Sequence, residues 1–324
     1  MFFTDWEGPW ILTDFAYELA VSIFNNGTFF EKLSRYDDYL AYEVKKEGYE
    51  AGDTLKLLAP FLVAAKVSNK EVEKIAELVA RFVPDSSKAM KFLQQKYKPV
   101  VISTSYIHYL SKTAELIGVK GYLHGTEIDF EKYELDERER MEILNAIDKI
   151  TSLSGEELIN FLDEFFWVEL RKKRVGKILD EIKAVGGERK KEIVKRYVEE
   201  FSVDRIIAIG DSISDYKMLD WVRKQGGLAV SFNGNEYALK YSNIAIVSDS
   251  AISEALVVDL FIRSGYEKLK EIEKELDNYS VEIKKLFLNS NTKIYHLDEI
   301  DYKEILDKSL NMRRRLRGRV GELG

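Results

Sequence analysis

The sequence contains no cysteine and only three histidines in 324 residues. Thiolate catalysis, disulfides and zinc–cysteine sites are therefore excluded, and the scattered histidines leave little for a histidine metal site. Any metal must be held by oxygen. No apolar run approaches the roughly 18 to 20 residues of a membrane span, and the first strand starts at residue 2, which leaves no room for a signal peptide. The expectation is a cytoplasmic protein without membrane insertion. There is no positive excess, since 49 Lys and Arg stand against 56 Asp and Glu for a net charge of −7. With both signs mixed along the chain, no bulk basic field recruits nucleic acid, and a small substrate is expected instead. A Gly-rich dinucleotide loop and a P-loop are both missing, which argues against a dehydrogenase and a P-loop nucleotidase. Absent Cys, only three Gln and a 32% charged fraction lean toward a thermophile. No internal repeat and no low-complexity linker interrupts the chain.

What is present is ample for a core: 45% of residues are apolar, enough for one large domain or two modest ones. "PVVISTSY" (99–106) reads as a β-branched strand, followed by a helical face of Tyr109, Leu110, Thr113, Ala114 and Ile117 that Gly118 stops. "RIIAIGDSISD" (205–215) repeats the design: a buried strand breaks at Gly210 into a polar loop and a helix with Met218, Leu219 and Val222. "LAVSF" (228–232) and "IAIVS" (244–248) add two apolar strands. Continuous apolar strands alternating with helices predict an α/β fold with a parallel sheet covered on both faces. Ligands in such sheets bind beyond the carboxyl ends of the strands.

Two segments break the alternation. Residues 15–85 and 134–183 read as helical blocks inserted into an α/β core of 1–14, 86–133 and 184–265, with a C-terminal extension over 266–324. In the second block Ser154 and Glu157 suggest a capping box, and Leu158, Phe161, Leu162, Phe165 and Phe166 form an apolar stripe that reads as core packing. The block itself enlarges the first one or makes a homo-oligomer. In "RYDDYLAYE", Asp37, Asp38, Tyr39, Tyr42 and Glu43 either face a site or form a solvated helix face, and the charge pattern favours the latter. His108 reads as a surface or satisfied core histidine. The Arg run 313–319 reads as a cationic helix C-terminus, with an anionic partner as the alternative.

The polar strand ends carry the chemistry. "FFTDWEGPWIL" places Asp5 and Glu7 after the first strand, ahead of a Gly-Pro break. Ser103 ends "VVIS", with Thr104 and Ser105 competing for the same role, and the strand pattern selects Ser103. Lys190 opens a charged helix between Arg189 and Lys191, and Asp211 and Asp215 lie in "GDSISD". A nucleophile, an acid two residues later, a hydroxyl, a lysine and an acid pair are the parts of aspartyl-phosphate chemistry. Singly, each is equally readable as a turn, a cap or a charged helix start.

Together and in this order, "DWEGP", "VVIS", Lys190 and "GDSISD" resemble the four motifs of the haloacid dehalogenase (HAD) superfamily, phosphoserine phosphatase-like members in particular. The chain also looks like a small archaeal family of HAD-like proteins labelled energy-converting hydrogenase subunit R, marked by "FFTDWEGPWILTDFA", "FNGNEYALK" and the Arg-rich end. The resemblance implies a HAD-like, doubly wound (Rossmann-like) parallel sheet with helical cap insertions. It implies a Mg²⁺-dependent phosphatase or phosphotransferase on a small phosphorylated metabolite. Asp5 is then the nucleophile and Glu7 the general acid and base; Ser103 and Lys190 bind the phosphoryl group. Mg²⁺ sits between Asp5, the Glu7 backbone carbonyl and Asp211, with Asp215 holding its waters. The family pattern has Asp at the place of Glu7 and Thr or Val at the place of Pro9. Pro9 has no N–H and stiffens the strand exit. The alternative the resemblance allows is an accessory or regulatory protein of a hydrogenase complex with weak or no turnover. A dehalogenase on the same scaffold would leave Glu7 and the GDSISD acids without a task.

Overall fold

The computed structural model describes residues 1–50 and 52–318. Seven strands form one sheet: β1 (Phe2–Thr4), β2 (Pro99–Tyr106), β3 (Tyr122–Thr126), β4 (Ile207–Gly210), β5 (Leu228–Phe232), β6 (Ile244–Val247) and β7 (Lys293–His296). Their order is β3-β2-β1-β4-β5-β6-β7, parallel throughout except for β7, which runs antiparallel to β6. The order of the first six is the doubly wound one, and the chain reverses its direction of growth between β1 and β4. The fold class is the α/β one that the apolar strands imply.

Both faces of the sheet are apolar for a simple reason of period. Along β4, Ile207 and Ile209 join the larger core while Ala208 joins the smaller one on the opposite face; Phe2 and Phe3 of β1 divide the same way. Each such phenylalanine, fully removed from water, contributes roughly 2 to 3 kcal/mol. The helices Ser86–Gln94, Ile107–Leu116 and Ile252–Ser264 cover the first face, and Gly187–Phe201 and Tyr216–Lys224 the second. β3 has no counterpart in the sequence reading: it is only half-buried at its start and contains His124 and Gly125, so no continuous apolar run announces it. Among the described residues no helix is long and apolar enough to cross a membrane.

The helical segments 15–85 and 134–183 are packed on one another. Helices Gly27–Asp38 and Thr54–Ala64 lie against Glu137–Ser152. Lys32 Nζ donates to the carbonyls of Thr151 (2.6 Å) and Leu153, Asn26 Nδ2 donates to Thr151 Oγ1 (2.8 Å), and Tyr36 joins Asp163 and Trp167 Nε1. Leu162, Phe165 and Phe166 are buried in the shared core, with Leu158 and Phe161 against it, so the stripe is packing. The expected capping box is not formed. Ser154 stands at the N-cap, but its side chain makes no cap bond, because Gly155 follows at φ +57°, outside the helical region.

Candidate active site

The site forms where β1 and β4 end side by side. Asp5 N donates to Ile209 O (2.9 Å), which carries the pairing one residue past β1 and brings Asp5 beside the Gly210–Asp211 loop. A tight turn follows. Trp10 N and Ile11 N both donate to Trp6 O, while Gly8 N donates to Ile11 O (2.8 Å). Two buried indoles anchor it: Trp6 Nε1 donates to Thr113 Oγ1 (2.9 Å) and Trp10 Nε1 to Thr4 Oγ1 (2.8 Å). Gly8 adopts φ +99°, and a Cβ there would fall 2.1 Å from Asp211 Oδ2. Backbone and contact both require glycine, because the turn must pass under the Asp211 carboxylate.

Lys190 is the centre of the charge network. Completely buried, its Nζ lies 2.8 Å from Asp5 Oδ1 and 2.7 Å from Asp215 Oδ1. Burial alone would lower its pKa, but Asp215 and Asp5 outweigh burial and hold it above the usual lysine value. Asp215 Oδ2 accepts from the backbone N–H groups of Asp211 and Ser212, both at 3.0 Å, so one oxygen of this carboxylate holds its own loop while the other holds Lys190. Asp5 is pushed well above the ordinary aspartate range by burial, then by Asp215, with Lys190 opposing. Asp5, Asp211 and Asp215 each bring an oxygen within 4.8 Å of the others.

A cavity of about 140 Å³ opens over these strand ends. Asp5, Glu7, Ser103 and Asp211 lie on its wall, as do Thr104 and Ser105, whereas Lys190 and Asp215 stand behind it. Glu7 Oε1 accepts from Phe15 N (3.2 Å) and from Ser105 Oγ. Burial first, then the charge of Asp14, pushes the Glu7 carboxyl up to about 7, against the pull of Ser105 and Arg317. Ser103 Oγ accepts from Ser105 N (3.2 Å), so Ser105 bridges Ser103 and Glu7, while Thr104 Oγ1 turns away to Val185 O (3.0 Å). Pro9 is buried in the turn and is not on the wall. His108 is half-buried against Phe130, away from the site.

Two sets of wall residues escape the sequence reading. Both Asp37 and Asp38 lie on the cavity wall, but only Asp37 is buried, with Oδ2 accepting from Gly52 N (3.2 Å); Asp38 and Glu43 are exposed, as a solvated helix face requires. The cause is tertiary, since helix Gly27–Asp38 ends directly over the sheet. Burial raises the Asp37 carboxyl to about 7, with Tyr49, Thr54 and the Gly52 N–H opposing and Asp38 adding to the rise. A carboxyl raised in the folded state binds its proton more tightly there than in the unfolded chain. Stability is then lost as pH rises from about 4 to about 7, and the loss is complete above that window. Asp37→Asn is expected to remove this slope and to exceed wild type at pH 8.5 by as much as a few kcal/mol. Urea midpoints of both proteins at pH 5 and 8.5 check it, and identical pH slopes would refute it.

The second set comes from the C-terminal helix Lys303–Arg317. Its buried stripe runs Ile305, Ser309, Arg313, Arg317, a strict four-residue spacing that turns from apolar to cationic at its end. This spacing was the signal available in the sequence; the run of neighbouring arginines concealed it. Arg313 donates to the backbone oxygen of Asp211 (3.2 Å) and pairs with Asp211 Oδ2. Arg317 reaches the same Oδ2 at 3.4 Å and donates through Nε to Leu12 O (3.1 Å). Arg314 and Arg315 are exposed, and Arg319 lies outside the described residues. Asp211 Oδ1 is buried without a hydrogen-bond partner.

That orphaned oxygen bears on metal binding. Asp5, Glu7, Asp14, Asp211 and Asp215 face Lys190, Arg313 and Arg317, five carboxyl groups against three cations. An all-oxygen donor set with an excess of acid and one unsatisfied carboxylate oxygen suits a hard divalent cation such as Mg²⁺. Glu254 is buried with neither oxygen partnered, and burial, then Asp211, raises its carboxyl well above the usual range.

No protein-family model and no curated protein matches the chain. Among solved structures, a phosphoserine phosphatase in apo form is 13% identical over 75% of this chain and 91% of that chain, with a TM-score of 0.46. A HAD family hydrolase from Salmonella enterica subsp. enterica serovar Typhi is 13% identical over 74% of this chain and 64% of that one, with a TM-score of 0.48. Gene product AF1437 from Archaeoglobus fulgidus is 53% identical over 100% of this chain and 98% of that chain, with a TM-score of 0.88. At that identity over its full length, the chain belongs to the same family as the Archaeoglobus fulgidus gene product AF1437.

Proposed function

We propose that this protein is a HAD-type phosphatase or phosphotransferase acting on a small phosphorylated molecule through Asp5. The observation that carries the reading is the Asp5–Lys190–Asp215 chain at the ends of β1 and β4, beside an Asp211 oxygen left without a partner. Asp5, the Glu7 backbone carbonyl and Asp211, with Asp215 behind them, would hold Mg²⁺. When bound, that ion neutralises phosphoryl charge and orients the group for in-line attack.

The chain's own residues supply the rest. An Asp5 carboxylate oxygen bonds to phosphorus as the bond from phosphorus to the leaving oxygen breaks. Glu7 gives that oxygen its proton, and a carboxyl near 7 is poised to hold one at neutral pH. A water molecule then gives a proton back to Glu7 and attacks the aspartyl phosphate; the bond from phosphorus to Asp5 breaks and inorganic phosphate leaves. Lys190 fixes the attacking carboxylate and balances charge where the phosphoryl oxygens arrive, and Ser103 offers its hydroxyl from the wall. The helical block 15–85, which brings Asp37 and Asp38 over the cavity, acts as the cap, restricts its size and excludes water.

The test is hydrolysis of p-nitrophenyl phosphate by the full chain at elevated temperature, with Mg²⁺ and with a chelator. Mg²⁺-dependent release of p-nitrophenolate is expected. Because a covered cavity can reject that reporter, stabilisation by beryllofluoride with Mg²⁺ is measured alongside. Failure of both would leave the accessory role in a hydrogenase complex as the reading to pursue.

A further inference from the structure

We infer that Arg313 and Arg317 of the C-terminal helix are the anion-binding residues of the cavity, gripping the phosphate group of the incoming substrate. The inference rests on the phosphatase reading above. Its ground is a property of the wall itself. Among the described residues, Arg313 and Arg317 are the only cationic side chains that line the cavity, against the acids Asp5, Glu7, Asp14, Asp37, Asp38 and Asp211. Lys190 stands behind Asp5, bonded to two carboxylates and off the wall, so it acts on an arriving phosphate through its charge and not by direct contact from the cavity. Without the two guanidinium groups, a phosphate monoester would enter a cavity whose ionisable wall groups are all acidic.

The arginines are built into the wall. Arg313 and Arg317 are 3% and 6% exposed, each is held by Asp211, and Arg317 is also fixed by Leu12 O. The helix that carries them is docked at its middle by Ser309 Oγ, which donates to Gly234 O (2.7 Å), and by Ile305, packed against Leu239 and Ala245. The two guanidinium groups, one helical turn apart on the chain, converge on the same Asp211 oxygen, and their planar forks favour bidentate contacts that a lysine does not make. The pairing with Asp211 places them against the loop beside the nucleophile. The C-terminal extension thus becomes part of the substrate site.

The experiment measures the affinity of inorganic phosphate by calorimetry, with Mg²⁺ present, for wild type, Arg313→Gln, Arg317→Gln, Arg317→Lys and the exposed control Arg314→Gln. Mg²⁺ affinity and thermal midpoint are measured for each. Loss of charge-assisted bonds is expected to weaken phosphate by about ten-fold or more in either Gln variant. Arg317→Lys should show a smaller loss, and the control none. Mg²⁺ affinity should hold or rise, since a neighbouring positive charge is removed. Unchanged phosphate affinity in both Gln variants of intact fold would overturn the inference. So would a parallel loss of phosphate and Mg²⁺ affinity, the mark of a structural clamp on Asp211. If wild type binds neither phosphate nor beryllofluoride, the phosphatase reading itself has failed and this inference falls with it.

Discussion

Asp5→Asn is expected to abolish the proposed phosphatase activity while leaving the protein folded, with turnover falling roughly 10⁴-fold or more. The substitution keeps the shape of the side chain and replaces the carboxylate of the proposed nucleophile with an amide, whose oxygen is a poor nucleophile. The covalent route is then closed and only residual electrostatic assistance remains. Stability should survive, because Asp5 is itself an unfavourably buried acid: burial and Asp215 raise its pKa, and Lys190 keeps Asp215 as partner when Asp5 becomes neutral. A direct check is acid-quenched mass spectrometry after mixing with a small phosphoryl donor and Mg²⁺. Wild type should carry one added phosphoryl group on Asp5, and the variant none. A variant that retains turnover would remove Asp5 from the mechanism and with it the aspartyl-phosphate route.

Lys190→Met should have the largest effect on stability. Lys190 is buried between Asp5 and Asp215, with Asp211 close enough to raise the Asp5 carboxyl further. Breaking a buried pair by removing one partner costs about 3 to 5 kcal/mol, because the remaining charge is left uncompensated. The pH dependence fixes the sign. Asp5 and Asp211 already have carboxyls raised in the folded state, and loss of the lysine raises them further. Groups of this kind lose stability as pH rises through the interval between their unfolded and folded values. The deficit of Lys190→Met relative to wild type should therefore be small at pH 5 and large at pH 8. Urea midpoints at the two values decide it, and a deficit independent of pH would mean that lost packing of the lysine stem is the cause. Activity should vanish as well, since the nucleophile loses its anchor.

The strand ends were legible because they obey local rules. "FFTD", "VVIS" and "IAIGD" announce themselves as apolar runs that stop at a polar residue, and parallel pairing brings such stops to one edge of the sheet. The spacing of Asp211 and Asp215 also suffices to suggest their loop, whose capping geometry binds Asp215 to two backbone N–H groups. The edge strand β3 and the unformed cap at Ser154 were not legible: a half-buried edge lacks a strong pattern, and a capping box depends on the conformation of the residue after the N-cap.

The charges on the cavity wall show the same division more sharply. Arg313 lies 102 positions from the Asp211 carboxylate it pairs with, and the sequence around it reads equally as an ordinary cationic helix end. Asp37 reads as solvated, because nothing in "RYDDYLAYE" records that another layer covers it. By itself the sequence determined the α/β class, the polar strand ends and the oxygen-only donor set, since periodicity and residue chemistry are local properties. Only the tertiary structure decided which acids share the cavity, that Lys190 stands behind the wall, and that two arginines of the last helix face the site. Burial and long-range pairing set those outcomes, and both depend on where distant segments of the chain meet.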